Sequence, residues 1–253
     1  MLSFTHSDDL GPNIVIWFPS LGQSSTMWNK ISSSLNQWSH IYVDLPGHGN
    51  NEPTSTSFSI TGLAKECLEY LNREVKTWDR VVVVGLSIGG VVALELAHLL
   101  PKGSLVVVMG AGATMGDPKT WQSRADLART SGTAVMKDAA RSRWFTEEYV
   151  ISHAEETNRA LESLGSVDGE SYALGAEALG KFDGTQTARE ISIPVLVLAA
   201  TNDEVSPPES ARSLSELIPL GEFVEIADAK HLFPIEKSKE VADHILDFVN
   251  RKN

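Results

Sequence analysis

A serine, an aspartate and a histidine follow three separate apolar runs of the chain, in that order. Ser87 lies at the centre of the stretch GLSIGG, Asp203 follows the run 195–200, and His231 follows the run 223–227. A serine hydroxyl becomes a nucleophile when a histidine takes its proton and a carboxylate fixes the tautomer of that histidine. These residue types predict acyl transfer, with Ser87 attacking a carbonyl carbon.

The stretch GLSIGG predicts a sharp turn between a buried strand and a helix. Valines occupy 81–84 before it, and mostly apolar residues occupy 91–97 after it. Gly85 and Gly89 let the backbone fold tightly because glycine has no Cβ atom, and such a turn raises the Ser87 hydroxyl above the sheet. The alternative is an ordinary glycine-rich connection with a surface serine.

The partners of Ser87 are chosen by position. Among the seven histidines, His231 alone follows a strand downstream of both Ser87 and Asp203, and the order serine, aspartate, histidine is the one that a strand-turn-helix serine requires. Asp203 is preferred as the acid because it comes directly after a buried strand. Its neighbour Glu204 and the later Asp228 are the competitors, and a solvated loop acid is the alternative.

A polar loop after the first long apolar run could supply hydrogen-bond donors to a reacting carbonyl. The loop SLGQSSTMW begins directly after that run. We predict that the backbone amides of Leu21 and Ile88 form the oxyanion hole, although a plain loop would leave a similar sequence.

Composition excludes several classes of function. The chain has 253 residues, 21 of them basic and 33 acidic, for a net charge of −12. Such a surface disfavours nucleic acid and anionic membranes, and no apolar run approaches the roughly 20 residues that span a bilayer. The start of the chain has no secretory pattern. We therefore expect a cytoplasmic protein with a small-molecule partner.

Two reactive residue types are expected to be structural. Cys67 is the only cysteine, so it forms no internal disulfide, and its position on an apolar helix face predicts a buried side chain. No cysteine and histidine spacing typical of zinc occurs. His48, in the turn LPGHG, is expected to fix a loop by hydrogen bonding.

Strands alternate with helices along most of the chain, which predicts an α/β fold with a mostly parallel central sheet and helices on both faces. Residues 115–183 lack strand-like runs and show helical patterns. We predict a core formed by 1–114 and 184–253, with 115–183 inserted as a helical cap. Residues 1–13 offer at most one short strand.

Several motifs together resemble a known family. The motifs DLPGHG, GLSIGG, NDEVSPPE and AKHL occur in this order, with the helical segment between the second and the third. They resemble the α/β-hydrolase fold family. Within it the chain is most similar to 3-oxoadipate enol-lactonases, on the stretches SLGQSSTMW, GLSIGG, RSRWFTEEY and NDEVSPPESARSLSELIP. The resemblance implies hydrolysis of a small ester or lactone without metal or organic cofactor. Other activities remain open: cleavage of a carbon–carbon bond, a lyase reaction, or ligand binding with little turnover.

A substrate that carries a carboxylate would need a local cation in this acidic protein. Arg141 and Arg143, beside Trp144, are the candidates because guanidinium binds carboxylate through two parallel hydrogen bonds. Pairing of these arginines with acids such as Glu147, and a purely structural Trp144, are the alternatives.

Overall fold

The computed structural model describes residues 1–6, 10–75 and 80–252. Seven strands form one sheet in the order β1-β3-β2-β4-β5-β6-β7. The strands are β1 (Ser3–His6), β2 (Asn13–Phe18), β3 (Ser39–Asp44), β4 (Arg80–Leu86), β5 (Leu105–Met109), β6 (Val195–Ala200) and β7 (Gly221–Ile226). β1 runs antiparallel to β3, and every other neighbouring pair is parallel. The predicted α/β fold with a mostly parallel sheet is confirmed.

Twelve α-helices occur in the described ranges. They are α1 (Asn29–Ser32), α2 (Ile60–Glu74), α3 (Ile88–Ala97), α4 (Pro118–Ser131), α5 (Lys137–Trp144), α6 (Glu147–Ser152), α7 (Ala154–Ser166), α8 (Gly169–Gly180), α9 (Thr185–Glu190), α10 (Pro208–Leu217), α11 (Phe233–Glu236) and α12 (Ser238–Arg251). In the described residues no helix has the length and apolar character needed to cross a membrane.

The apolar runs form the centre of the molecule because both faces of a parallel sheet are covered by helices. All six residues of β6 and all five of β5 are buried. Every residue of α3 is buried, whereas α2 buries only one face, which includes Cys67. Cys67 is therefore a small core side chain, as predicted, and burial raises the pKa of its thiol.

The N-terminal segment contributes the short edge strand β1. Its pairing with β3 is antiparallel, and the ring of Phe4 stacks on that of Tyr70 with centroids 3.8 Å apart. The prediction of at most one short strand before β2 agrees with this arrangement. Residues 7–9 lie outside the described ranges.

Six α-helices of the described ranges, α4 to α9, lie between β5 and β6, and the first five are called here the α4–α8 segment. An isolated antiparallel bridge between Thr114 and Asp183 joins the two ends of this segment. These residues fall beside the limits 115–183 that the sequence pattern suggests. Within the segment α4 packs closely on α8, because a Cβ atom on Gly169 would lie 2.4 Å from the carbonyl oxygen of Ala128.

Candidate active site

Ser87 has a strained backbone at the junction of β4 and α3. Its φ is 57° and its ψ is −116°, a conformation that non-glycine residues rarely adopt. The turn is close-packed: a Cβ atom on Gly85 would collide with the carbonyl of Gly89, and one on Gly89 would collide with the carbonyl of Phe18. Glycines at these two positions allow the sharp turn that holds Ser87 at the end of the strand.

Asp203 and His231 form a buried pair on neighbouring loops. The Nδ1 atom of His231 lies 2.8 Å from Oδ2 of Asp203, and both side chains are almost fully inaccessible to solvent. The other carboxylate oxygen accepts the amides of Val205 at 2.8 Å and Ser206 at 3.0 Å. These amides fix the carboxylate, and its contact with Nδ1 leaves Nε2 of His231 available for a proton.

Strand order explains why these residues meet. β4, β5, β6 and β7 are successive neighbours in the sheet, and parallel strands end at the same edge. Ser87, after β4, donates its amide to the carbonyl of Met109 at the end of β5, 2.8 Å away. A Cβ atom on Gly110 would lie 3.4 Å from both Asp203 Oδ2 and His231 Cε1. The backbone after β5 therefore lies between the serine turn and the buried pair.

Glu204 and Asp228, the alternatives to Asp203, have different surroundings. The side chain of Glu204 is 65% exposed and forms a 3.4 Å ion pair with Lys230. Asp228 is exposed, and its amide donates to Thr201 Oγ1 at 3.0 Å. Asp203 is thus the one of the three candidates whose carboxylate contacts the imidazole of His231.

The amides nominated for an oxyanion hole lie beside the serine turn. Ile88 is the first residue of α3 and is fully buried, and Leu21 is in the turn after β2. Within the described residues, neither amide donates to a protein acceptor. A Cβ atom on Gly175 of α8 would lie 2.6 Å from Leu21 Cδ1 and 3.7 Å from Ile88 Cδ1, so α8 covers both residues.

The loop that carries the histidine is held by the α4–α8 segment. The amide of Leu232 donates to the carbonyl of Trp144 at 3.0 Å. The amide of Lys230 donates to the Glu236 carboxylate at 3.2 Å, and the other oxygen of that carboxylate accepts the Thr146 amide, also at 3.2 Å. Both residues adjacent to the histidine are therefore fixed by hydrogen bonds.

His48 lies apart from this pair and stabilises its own turn. Its Nδ1 lies 2.9 Å from the carbonyl of Pro46, and Nε2 is buried without a hydrogen-bond partner in the described chain. Burial lowers the pKa of His48 from 6.5 to about 4, because a charged ring there would have no solvent. The residue is a neutral loop-fixing histidine, as its motif suggests.

The three residues nominated for substrate binding occupy different environments on α5. Trp144 is buried, and a Cβ atom on Gly22 of the loop after β2 would lie 3.5 Å from its Cη2. Arg143 is partly buried, with Nε donating to the carbonyl of Ala139 at 3.0 Å. Arg141 is exposed. Trp144 thus contacts the proposed oxyanion loop, while Arg141 faces solvent.

Sequence reasoning missed two charged residues, one on α4 and one beside the histidine loop. Arg124, on α4, is partly buried with its guanidinium 4.6 Å from the ring centroid of Trp121. Glu236 bridges Lys230 and Thr146. Of these two residues, Arg124 alone had a sequence signal, because it follows Trp121 by three residues, the spacing of one helix face.

A cavity of about 390 Å³ lies between the loop after β2, α7 and α11. Its lining includes Gln23, Met27, Lys30, Glu156 and Ile235. Neither the serine nor the buried histidine pair lines it, so this cavity is separate from the candidate catalytic residues.

Comparison with known proteins agrees with the fold. The model of the alpha/beta hydrolase family matches residues 15–244. The chain belongs to the α/β-hydrolase family. It is 28% identical to 3-oxoadipate enol-lactonase 2 of Acinetobacter baylyi over 240 residues, which cover 94% of this chain and 88% of the relative.

Solved structures of this family superimpose closely. The enol-lactonase from Burkholderia xenovorans has a TM-score of 0.92 and 27% identity, covering 98% of this chain and 96% of its own. A thermophilic esterase from Thermogutta terrifontis has a TM-score of 0.89 at 24% identity, covering 99% and 93%. The esterase shows the shared fold, and the enol-lactonases support the resemblance inferred from the motifs.

Proposed function

We propose that the protein is a serine hydrolase that cleaves a small ester or lactone, with Ser87, His231 and Asp203 as its catalytic triad. The observation that carries the proposal is the buried 2.8 Å contact between His231 Nδ1 and Asp203 Oδ2. It lies at the same sheet edge as a serine held at a φ of 57°. A buried histidine with its Nδ1 fixed by a carboxylate is the arrangement that general-base catalysis requires.

In the first half-reaction, Ser87 Oγ bonds to the carbonyl carbon while its proton passes to Nε2 of His231. Asp203 stabilises the imidazolium and is not itself protonated. The tetrahedral intermediate then collapses, the bond to the leaving oxygen breaks, and His231 returns its proton to that oxygen. For a lactone the leaving oxygen stays attached to the acyl group.

In the second half-reaction, water replaces the serine. Neutral His231 takes a proton from water, the resulting hydroxide attacks the acyl carbon, and the Ser87 oxygen leaves with that proton. The free amides of Leu21 and Ile88 stabilise the oxyanion in both halves. Each well-placed donor contributes about 3 kcal/mol to transition-state stabilisation in known oxyanion holes.

We further propose 3-oxoadipate enol-lactone as the substrate. Support comes from the identity with enol-lactonases of A. baylyi and B. xenovorans over nearly the whole chain. The α4–α8 segment is then the cap that shapes the acyl pocket, because α8 covers Leu21 and Ile88 and because Trp144 contacts the loop at Gly22.

The test of catalysis uses an aryl ester with wild-type protein and Ser87→Ala. We expect turnover by the wild type and a loss of at least about a thousandfold in the variant, with the circular dichroism spectrum unchanged. Absence of activity in both proteins, on esters and on the enol-lactone, would refute the hydrolase proposal. For the substrate, loss of enol-lactone absorbance should be faster than hydrolysis of an uncharged ester of similar size.

The acid is tested with a matched pair of variants. Asp203→Asn should lower kcat by roughly three to four orders of magnitude, because an amide favours the wrong histidine tautomer. Asp228→Asn, an exposed aspartate on the histidine loop, should retain near-wild-type turnover. Near-wild-type activity of Asp203→Asn would remove Asp203 from the triad.

A further inference from the structure

The cavity between the loop after β2, α7 and α11 has the size of a small-molecule site. Its volume is about 390 Å³, within the range of about 300–1,000 Å³ that is typical of such sites. An apolar cavity of about 150 Å³ already binds benzene. A molecule with one ring and a short side chain therefore fits here, outside the proposed triad.

The side chain of Gln23 is fixed in the wall of this cavity. It is only 3% exposed, and its Nε2 donates to the carbonyls of Gly22 and Ala160, both at 2.9 Å. The amide cannot be turned around, because its oxygen would then face the lone pairs of two carbonyl oxygens. Both N–H donors of Gln23 are thus used, and the direction of Oε1 is set.

The Oε1 atom of Gln23 is an open acceptor. It accepts no hydrogen bond from the described residues. In this part of the chain, the unpaired side-chain polar atoms that protein encloses are Trp28 Nε1, His48 Nε2 and Thr157 Oγ1. Oε1 is not among these enclosed atoms, and Gln23 lines the cavity. Since buried acceptors are normally paired, a hydrogen-bond donor inside the cavity would satisfy Oε1.

Apolar side chains cover other parts of the same cavity. Met27, Ala160, Pro234 and Ile235 all line it, and they come from the loop after β2, from α7 and from α11. Met27 and Ala160 are 9% and 5% exposed. Hydrocarbon gains free energy when it leaves water for such walls. A fitting ligand therefore carries an apolar body as well as a donor.

The charged side chains of the cavity disfavour a charged ligand. Both carboxylate oxygens of Glu156 are occupied, one by Lys30 Nζ at 2.5 Å and the other by the hydroxyl of Tyr149. An ammonium group would meet the cations Lys30 and Arg159 and no unoccupied acid. A carboxylate would gain little from Arg159, because that side chain is exposed, and it has no proton to donate to Gln23 Oε1.

We propose that this cavity binds a small uncharged alcohol, whose hydroxyl donates to Gln23 Oε1 and whose hydrocarbon part packs on Met27, Pro234 and Ile235. The site is a second one, beside the proposed catalytic residues, and it does not depend on the proposed hydrolase function. A bound alcohol contacts the loop after β2, α7 and α11 together, so it stabilises the packing of these three elements.

Calorimetric titration with four compounds that share one body tests the role of the hydroxyl. The compounds are 4-phenylbutan-1-ol, its methyl ether, 4-phenylbutanoate and 4-phenylbutylammonium. The alcohol should bind wild-type protein at least about fivefold more tightly than each of the others, the effect of one hydrogen bond to a buried acceptor. Equal binding of the alcohol and the ether, or tighter binding of either ion, would overturn the proposal.

A pair of serine variants on α7 tests the location. Ser163 lines the cavity and is half-buried, so Ser163→Phe should fill the space and weaken binding of the alcohol by about tenfold or more. Ser166→Phe is the matched control, at an exposed position of the same helix outside the lining, and should bind as wild type. Unchanged binding by a folded Ser163→Phe would reject this site.

Two further variants separate the acceptor and the catalytic site. Gln23→Met removes Oε1 and should abolish the preference for the alcohol over the ether. Ser87→Ala should bind the alcohol as wild type does, whether or not the wild type hydrolyses esters, so failure of the hydrolase proposal leaves this test intact. A preference that survives in Gln23→Met would contradict the assigned acceptor, and loss of binding in Ser87→Ala would place the alcohol at the serine instead.

Discussion

At the residue scale, the serine turn combines strain with close packing. Ser87 has a φ of 57° and a ψ of −116°, and a conformation of this kind costs on the order of 1–3 kcal/mol for a residue with a Cβ atom. Close packing of β4 and α3 at Gly85 and Gly89 holds Ser87 in this conformation. The turn places the Ser87 hydroxyl at the sheet edge, so the position that the proposed chemistry needs is unfavourable for stability.

Removal of the strain should therefore stabilise the fold while it abolishes activity. Ser87→Gly should unfold at a temperature about 2–4 °C above that of Ser87→Ala, corresponding to about 1 kcal/mol, because glycine adopts positive φ freely. Calorimetry of the two variants side by side measures the difference. A lower melting temperature for Ser87→Gly would show that the turn is unstrained.

His48 gives a second prediction at this scale, in the dependence of stability on pH. Its pKa falls from 6.5 to about 4 on folding, so the unfolded chain binds more protons between these values. The contribution of the neutral His48 ring to the free energy of unfolding is present in full above pH 6.5. It is lost as the pH falls toward 4, by up to about 3 kcal/mol at about 1.4 kcal/mol per pKa unit. Urea unfolding at pH 7.5 and 5.0 should show a larger loss for wild type than for His48→Gln. Equal losses would contradict burial of a neutral ring.

At the scale of elements, the histidine loop depends on helices that come much earlier in the chain. Trp144 ends α5 and accepts the Leu232 amide, and Glu236 of α11 joins the Lys230 amide to Thr146, the N-cap of α6. These bonds fix the residues on both sides of the proposed general base. The α4–α8 segment thus contributes to the position of the histidine as well as covering the site.

Glu236→Ala should show this coupling in its kinetics. We expect kcat to fall by about tenfold with KM nearly unchanged, because the histidine is less often in the productive position, together with a loss of about 1–2 kcal/mol in unfolding free energy from the broken hydrogen bonds. Glu240→Ala, an exposed glutamate of α12, is the control. A loss of stability with kcat intact would assign Glu236 a structural role alone.

At the scale of the whole molecule, the α4–α8 segment and the sheet are joined at several separate points. Gln23 Nε2 donates to the carbonyl of Ala160 at 2.9 Å, and the Thr54 amide donates to Ser171 Oγ at 2.9 Å. With the contacts at Trp144 these points surround the carboxyl edge of the sheet. Separation of the α4–α8 segment from the sheet would expose apolar surface on the segment and on the sheet at the same time.

The segment and the sheet should therefore unfold together. Fluorescence of a variant that keeps tryptophan only at positions 121 and 144, both in the segment, should give the same urea midpoint as circular dichroism of the same protein, because contacts across the edge make the transition cooperative. Far-ultraviolet circular dichroism reports the secondary structure of the whole protein. An earlier fluorescence transition would mean that the segment unfolds independently.

The candidate catalytic residues are readable from sequence because of a simple geometric rule. Residues directly after parallel strands share one edge of the sheet, so Ser87, Asp203 and His231, each placed after a buried run, had to lie at the same edge. The glycines of the serine turn are also local signals, since they are required by backbone geometry within a few residues. The α/β fold follows from the alternation of apolar strands and helices.

The sequence by itself determined the strands, the serine turn and the order of the proposed triad, because each depends on local pattern and on the rule of shared strand ends. Only the tertiary structure decided which acid contacts His231, that Arg141 is exposed, and that Glu236 holds the histidine loop. These features depend on how the helices of the α4–α8 segment dock on the sheet, and docking angles arise from many weak side-chain contacts between residues far apart in sequence.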